Sequence, residues 1–330
     1  MNNVLKQRCE LLVRNRDIMK NHFRWDHSTL HPLCGSMYTE RQLEVDEVKI
    51  KECKDIIKSN TGLLSSFRST TNLILATMLS LENQPVIKFQ KVLLIYDLLR
   101  KEFYSSDYLP LSAFVMADMV KDTDYKRVIE KAKEIYKRMK KEHPFLTSSE
   151  DSGFAIIFAI SDLTVEEAIT EMEKCYNFLH TQFFSANAVQ SLSHTLALGE
   201  ENFLKKCNKV MEIFEGLKNR DCKFGTGVEL AILGVLAMTT DNTQQVVSDI
   251  VEVNEYLLSF KGFGALGIGK KQRLMYSAIL VEQEYKRQCE NKLMEVASIN
   301  SITSIIIAEQ IAVTAAITAS MAATNAANSG

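Results

Sequence analysis

The chain is poor in the residues that break helices. Only 4 prolines and 13 glycines occur among its 330 residues. A β-sandwich or β-barrel needs many tight turns, and such turns are usually built with these two residue types. The shortage therefore argues against an all-β fold and favours a chain made of α-helices.

The chain also lacks a charge imbalance and paired cysteines. Its 39 Lys and Arg residues face 41 Asp and Glu residues, and its seven cysteines form no CxxC pair. A balanced charge gives no general attraction to nucleic acid, and scattered cysteines are typical of a reducing compartment. The first residues, MNNVLKQRCELLVRNRD, hold no apolar signal-peptide core. We therefore expect a cytoplasmic protein with no metal, no cofactor and no nucleic-acid partner.

Two sets of residues recur at intervals of 38 to 42 residues. A period kept by two independent sets indicates one supersecondary unit that has been copied and stacked. The first set is the alanines Ala76, Ala117, Ala159, Ala197, Ala237 and Ala278. The second set is the aromatic residues Tyr96, Tyr136, Tyr176, Phe214 and Tyr256.

Each unit is predicted to be a hairpin of a short apolar helix, here called A, and a longer amphipathic helix, here called B. Helices that are apolar on nearly every face must be enclosed, so the A helices should form an inner layer inside the B helices. The predicted A helices are 66–81, 110–121, 151–162, 187–198, 227–239 and 271–283. The predicted B helices are 85–103, 125–142, 164–181, 201–218 and 243–260.

The predicted fold is all-α, with tandem hairpins of about 40 residues forming a right-handed superhelix or a closed α/α toroid. The pattern alone leaves these two forms open. Three segments make up one continuous structural unit. Residues 1–62 hold N-terminal helices at 3–22 and 40–59 around an irregular stretch, 63–296 form the array, and 297–330 form an Ala-rich tail.

The tail carries alanines at alternating steps of four and three residues. Such a stripe predicts a helix that docks closely on a partner surface, either the last hairpin or the same helix of a second copy in a homodimer. A membrane span is the rival interpretation, but Glu309 and Gln310 interrupt the apolar run, so we predict no span. The stripe consists of Ala308, Ala312, Ala315, Ala319, Ala322 and Ala326.

Several segments resemble a bacterial domain-of-unknown-function family, numbered four thousand and three, chiefly from Gram-positive bacteria. These segments are TSSEDSGF, FFSANAVQSLSHTLALGEE, GFGALGIGKKQRLMYSAILV, the upstream GLLSSFRST and the Ala-rich tail. The resemblance covers nearly the whole chain. It implies a bacterial origin and brings no activity, cofactor or catalytic residue with it.

Two local motifs suggest chemistry that their context does not support. Residues 261–271, KGFGALGIGKK, contain both GxGxxG and GxxxxGK, but these phosphate-binding motifs follow a β-strand and here a helix is predicted upstream. A Gly-rich loop is the preferred interpretation. The group His22, His27, His31 and Cys34 matches no common zinc spacing and is read as a packed connector.

A rim formed by the N-termini of the A helices is the candidate site. Helix N-termini carry unpaired N–H groups and a partial positive charge, which together favour an anion. Polar residues begin several A helices, and His194 lies in the most polar of them. The candidate acid–base groups are His194, Glu150 and Asp151, and the candidate ligand-binding groups are Arg68, Asn187, Gln190 and Arg273.

Two functions follow from this interpretation. The leading hypothesis is a cytoplasmic binding or scaffold protein that uses the inner surface of the array for a protein partner. The alternative is a toroid enzyme, or a binder of a small anionic ligand, acting at the rim.

Overall fold

The computed structural model describes residues 1–69, 71–149, 151–227, 229–265 and 267–293. This part of the chain folds into fourteen α-helices and two short 3-10 turns, at Ser66–Arg68 and Asp122–Asp124, and contains no strand. The all-α prediction is confirmed. The helices are α1 (Asn3–His22), α2 (Leu30–Glu40), α3 (Glu47–Asn60), α4 (Asn72–Ser80), α5 (Pro85–Leu99), α6 (Tyr108–Met119), α7 (Tyr125–Glu142), α8 (Asp151–Ile160), α9 (Val165–Leu179), α10 (Ala186–Ala197), α11 (Phe203–Lys218), α12 (Leu230–Thr239), α13 (Thr243–Leu258) and α14 (Lys270–Leu293).

Most predicted helices exist, and their ends differ by a few residues. The bounds predicted for α1 and α7 match the structure. The first predicted A helix, 66–81, instead begins at Asn72, because a 3-10 turn precedes it. The last, 271–283, extends to Leu293. The predicted Ala-rich tail and its docking contact lie outside the described residues.

The predicted irregular stretch from His22 to Tyr38 is wrong, because it contains helix α2. Pro32 and Gly35 gave this segment the composition of a loop, yet Pro32 lies in the first turn, where a missing N–H is tolerated. A side chain at Gly35 would stand 3.0 Å from the backbone nitrogen of Arg16, so this glycine permits close packing on α1. The predicted helix 40–59 correspondingly begins only at Glu47. An additional B–A pair therefore precedes the predicted array.

The described chain divides into two compact units. The first, here called the N-terminal unit, spans residues 14–169, and the second, the C-terminal unit, combines residues 1–13 with the described residues between 170 and 293. In each unit a B helix packs most extensively on the A helix that follows it, as α7 does on α8 and α13 on α14. A helices also pack on A helices, as α6 does on α8 and α10 on α12.

The A helices are enclosed, as their apolar sequences predict. Every residue from Asp151 to Ala159 of α8 and from Leu230 to Ala237 of α12 is buried. The six alanines of the repeat are all buried, with exposed fractions of 0 to 5%. Small residues at these contacts let neighbouring backbones approach. A side chain at Gly234 in α12 would stand 2.8 Å from Leu192 of α10.

A lysine contact recurs at the turns that join each A helix to the next B helix. The ammonium group of Lys49 donates to the carbonyl of Glu82 at 2.9 Å, and that of Lys131 donates to the carbonyl of Ser161 at 2.9 Å. In the C-terminal unit, Lys209 pairs with Asp241 at 2.9 Å. Each lysine belongs to a B helix and reaches the turn about 30 residues later, so the contact ties one repeat to the next.

No helix within the described ranges is both long enough and apolar enough to cross a membrane.

Candidate functional site

Three of the predicted rim residues lie together on helix α10. Asn187, Gln190 and His194 are spaced by three and four residues and so share one face of the helix. Asn187 is exposed, whereas Gln190 and His194 are buried at 3% exposure each. The buried pair sits within the layer of A helices, and only Asn187 is open to solvent.

Arg68 is engaged by the backbone of the N-terminal unit. Its Nε donates to Thr61 Oγ1 at 3.1 Å, and its Nη2 donates to the Thr61 carbonyl at 2.5 Å and to the Lys58 carbonyl. These acceptors lie at the C-terminal end of α3, where carbonyls have no partner within the helix. Arg68 therefore caps α3 and directs much of its donor capacity inward.

Arg273 is engaged in the same manner in the C-terminal unit. Its Nη1 donates to the Phe263 carbonyl at 2.6 Å and its Nε to Asn254 Oδ1 at 3.0 Å. Desolvation by burial lowers the pKa of Arg273 below its ordinary value. The side chain holds the loop between α13 and α14 in place.

Asp151 begins α8 and is buried. Its Oδ2 accepts from the backbone N–H of Ser148 at 2.7 Å. Glu150 lies outside the described residues. Arg68 and Asp151 belong to the N-terminal unit and the other placed rim residues to the C-terminal unit, so the rim as a single site stays a prediction.

The Gly-rich segment 261–269 follows helix α13, so it lacks the strand that a phosphate-binding loop requires. Gly262 adopts a positive φ of 88°, and its carbonyl accepts from the N–H of Ile268 at 2.8 Å. A side chain at Gly267 would stand 2.1 Å from that same carbonyl oxygen. The positive φ at Gly262 and the backbone crowding at Gly267 thus account for two glycines of the motif without a ligand.

Two thiols lie close together near a buried lysine in the C-terminal unit. Cys175 of α9 and Cys207 of α11 are buried, and a hydrogen bond from Cys207 lowers the pKa of Cys175. The Lys206 ammonium donates to the carbonyl of Gly199 at 2.7 Å, and desolvation by burial lowers its pKa. All three side chains are at 0% exposure, so the cluster is closed to a substrate.

A set of highly exposed apolar residues forms a third register that sequence reasoning missed. Trp25, Leu64, Tyr104 and Phe145 follow one another at steps of 39, 40 and 41 residues. Their exposed fractions are 89, 102, 88 and 99%. Each lies in a linker, the connection from a B helix to the next A helix. We call these four residues of the N-terminal unit the linker ridge.

The linkers of the ridge are held side by side by the tyrosines of the repeat. The Tyr96 ring packs edge-on against Phe67 of one linker, with ring centroids 4.7 Å apart. Its hydroxyl lies 3.3 Å from Ser66 Oγ and 3.4 Å from Ser105 Oγ of the next linker. The two serine hydroxyls lie 2.8 Å apart. Leu64 and Tyr104 therefore stand on directly contacting linkers.

Tyr136 repeats this arrangement one unit further along. Its ring packs edge-on against Phe103, with centroids 5.7 Å apart, and its hydroxyl donates to the Ser148 carbonyl at 3.1 Å. Desolvation by burial raises the pKa of Tyr136 above its ordinary value of 10. The aromatic period seen in the sequence thus marks residues that fasten successive linkers to one another.

The two edges of the N-terminal unit carry opposite charge. The linker edge, which holds the ridge, contains nine Lys and Arg residues against five Asp and Glu residues among those that the structure describes. The turn edge, where A helices lead into B helices, contains three basic against eleven acidic residues. Acids at the start and bases at the end of the B helices suit the helix dipole. The linker edge comprises 19–29, 56–69, 71, 98–107, 138–149 and 151, and the turn edge comprises 40–48, 81–86, 118–126 and 161–168.

A basic depression lies beside the ridge. It has a volume of about 540 Å³ and is lined by Lys51, Lys54, Lys58, Arg68, Asp55 and Asn72. Lys54 pairs with Asp26, next to Trp25, at 3.0 Å. Four cations, against Asp55 in the lining and Asp26 beside it, leave the depression with a net positive charge, which suits a phosphate or another anion.

The chain matches the family described as Protein of unknown function (DUF4003) over residues 15–311. It is also similar to the "Uncharacterized protein YeaA" of Bacillus subtilis (strain 168), with 28% identity over 321 residues, covering 93% of each chain. No solved structure matches this chain.

Proposed function

We propose that this chain, which belongs to the DUF4003 family of proteins of unknown function, is a binding or scaffold protein that engages its partner through the linker ridge. The observation that carries the proposal is the ridge itself. Four large apolar side chains, 88 to 102% exposed, recur once per repeat along one edge. We infer an interaction site because these exposed apolar side chains recur at the same place in successive repeats, whereas apolar residues scattered singly over a surface need no explanation.

The sequence favoured the inner surface of the array as the binding surface. Within the described ranges, the A helices that would line that surface are buried on nearly every face. They expose little apolar area that a partner could cover. The linker edge offers such area, which is why we place the interaction there.

The array is proposed to curve as a right-handed superhelix or to close as an α/α toroid. A closed ring would require the first helix to meet the last repeats. The carboxylate of Glu10 in α1 accepts from the Tyr256 hydroxyl at 2.8 Å, and Arg8 pairs with Glu284 of α14 at 3.2 Å. Both contacts lie within the C-terminal unit, so the superhelix and the toroid both stay proposals.

The alternative of a rim enzyme or anion binder has weaker support. Its two arginines, Arg68 and Arg273, donate to backbone carbonyls, and His194 is buried. A ligand would have to displace these hydrogen bonds before it could use either guanidinium. We therefore favour binding over catalysis, in a cytoplasmic protein.

Photo-crosslinking in living bacterial cells tests the proposal and requires no candidate partner. A photoreactive phenylalanine analogue would replace Tyr104 or Phe145 on the ridge. Matched controls would carry the analogue at Ile87 or Leu94, which are 61 and 56% exposed on the outer face of α5. We expect adducts, to protein or to lipid, from the ridge positions only. Equal adducts from the control positions, or none from the ridge, would refute the proposal.

A further inference from the structure

We infer that the linker ridge docks the N-terminal unit onto the surface of an anionic phospholipid bilayer. This inference rests on the proposed function and names the partner of the same surface. It concerns contact with the membrane surface, and it needs no membrane-spanning helix.

The ridge has the form of separate insertion points. Each of its four side chains stands on its own linker, about 40 residues from the next along the chain. A protein partner would have to shape complementary pockets around each of them, because protein interfaces are packed as densely as protein interiors. A bilayer accommodates isolated apolar side chains without such shaping, since its acyl region is fluid. Separate, fully exposed tips therefore favour lipid.

The residue types on the ridge suit the depth at which they would sit. Trp and Tyr concentrate at the membrane–water interface, where an apolar ring and a polar group are both satisfied. Leu and Phe gain from burial just below the headgroups. Trp25 additionally has the guanidinium of Arg24 at 5.0 Å from its ring centroid, which places a cation at headgroup level beside an inserting ring.

Charge complementarity identifies the lipid as anionic. It also fixes which edge of the N-terminal unit faces the bilayer. The described residues of the linker edge include nine basic and five acidic ones, so an anionic surface attracts it. The turn edge, with eleven acidic against three basic residues, is repelled. The net charge of -2 for the whole chain conceals this local polarity.

The basic depression gives a specific place for a headgroup phosphate. Lys51 and Lys58 are exposed there and can reach a phosphate, whereas the Arg68 guanidinium is engaged by the carbonyls of Lys58 and Thr61. Lys58 lies in the last turn of the helix from which the linker of Leu64 departs, so the depression and this ridge residue belong to neighbouring segments. Apolar insertion and phosphate binding at the same edge are the two contributions that together give stable anchoring.

Trp25 is the only tryptophan in the chain and lies on the ridge, so it reports the contact directly. The purified full chain would be titrated with vesicles of phosphatidylcholine mixed with phosphatidylglycerol, and separately with phosphatidylcholine alone. We expect Trp25 emission to shift to shorter wavelength, and to be quenched by brominated acyl chains, only with the anionic vesicles. Raised salt should reverse part of the binding.

Two triple variants distinguish the removal of ridge side chains from the removal of exposed apolar side chains in general. Both variants keep Trp25 as the fluorescent reporter. The ridge variant is Leu64→Ser, Tyr104→Ser and Phe145→Ser. The control is Val48→Ser, Ile87→Ser and Leu94→Ser, which are 57, 61 and 56% exposed on B helices. We expect vesicle affinity to fall by at least about tenfold in the ridge variant and to be unchanged in the control. Circular dichroism and the melting temperature would verify folding.

Several results would overturn the inference. They are an unchanged Trp25 spectrum at all lipid concentrations, equal binding to neutral vesicles, and equal loss of binding in both triple variants. If the vesicle assay fails while crosslinking from Tyr104 captures a protein, the proposed function stands and only the lipid assignment fails. If both fail, the ridge is not a binding surface.

Discussion

At the residue scale, the repeat depends on a few side chains that touch two linkers at once. Tyr96 and Tyr136 each place a ring on one linker and a hydroxyl on the next. The ring contributes apolar contact, and the hydroxyl contributes a directional hydrogen bond. Removing only the hydroxyl should therefore loosen the alignment of the linkers without opening the core.

Tyr96→Phe should destabilise the fold by about 0.5–1.5 kcal/mol, the net contribution of a hydrogen bond, because the ring contact with Phe67 stays. Tyr96→Ala should cost about 3–5 kcal/mol, since it also removes the ring. Urea unfolding followed by circular dichroism gives both values. A loss for Tyr96→Phe equal to that for Tyr96→Ala would contradict the division between ring and hydroxyl.

The Gly-rich segment gives a second test at the same scale. Gly267→Ala places a carbon 2.1 Å from the Gly262 carbonyl oxygen, so we expect a loss of about 1–3 kcal/mol. Gly264→Ala is the matched control, because nothing lies within 4 Å of that position. Thermal unfolding compares the two. If Gly264→Ala proves the more damaging, the loop is not held by backbone crowding at Gly267.

At the element scale, A helices approach one another through small residues, and lysines of B helices secure the turns. Ala237 is fully buried in α12, which packs on both α10 and α14. The turn that follows α12 is held by Lys205 and Lys209 through Asp241. The apolar contact and the polar contact can be perturbed separately.

Ala237→Leu should overpack the A layer and cost about 1–3 kcal/mol. Ala186→Leu, at the half-buried first position of α10, should change stability by no more than about 0.5 kcal/mol. The free energy of unfolding in urea measures both. Equal effects would mean that the alanine period does not mark close helix contacts.

Asp241 predicts an acid-sensitive turn. Hydrogen bonds from Lys209 and then Lys205 lower its pKa below the ordinary value of 3.8. A carboxyl whose pKa is lowered in the folded state stabilises the fold above the unfolded pKa, and this stabilisation disappears as pH falls through the folded value. Asp241→Asn should therefore lower stability at pH 7 by about 0.2–1 kcal/mol, the range for an exposed pair. The difference between variant and parent should vanish below the folded pKa, and a difference independent of pH would contradict this assignment.

At the scale of the whole molecule, helix periodicity predicted most elements and tertiary contact decided the rest. The bounds of α1 and α7 follow from amphipathic patterns, whereas α2 was missed because Pro32 and Gly35 imitate a loop. Only packing on α1 shows why Gly35 is tolerated in a helix.

The site was harder to predict than the fold. Arg68 and Arg273 were placed correctly near the starts of A helices, but no sequence pattern shows that backbone carbonyls occupy them. The ridge also has a period of about 40 residues in the sequence, from Trp25 to Phe145, which the sequence analysis missed. Periodicity alone could not show that these apolar residues are exposed, because Phe67 and Phe103 in the same linkers are buried.

The central claim is that the ridge is one edge that meets one surface, and a set of single-tryptophan proteins tests it most directly. The parent carries Trp25, and three further chains would combine Trp25→Phe with Leu64→Trp, Tyr104→Trp or Phe145→Trp. A fifth, with Trp25→Phe and Leu94→Trp, is the control. With anionic vesicles we predict that brominated lipids quench all four ridge tryptophans to a similar extent and leave the control unquenched. Quenching of Trp25 alone, or of the Leu94→Trp control as strongly as the ridge, would contradict the claim.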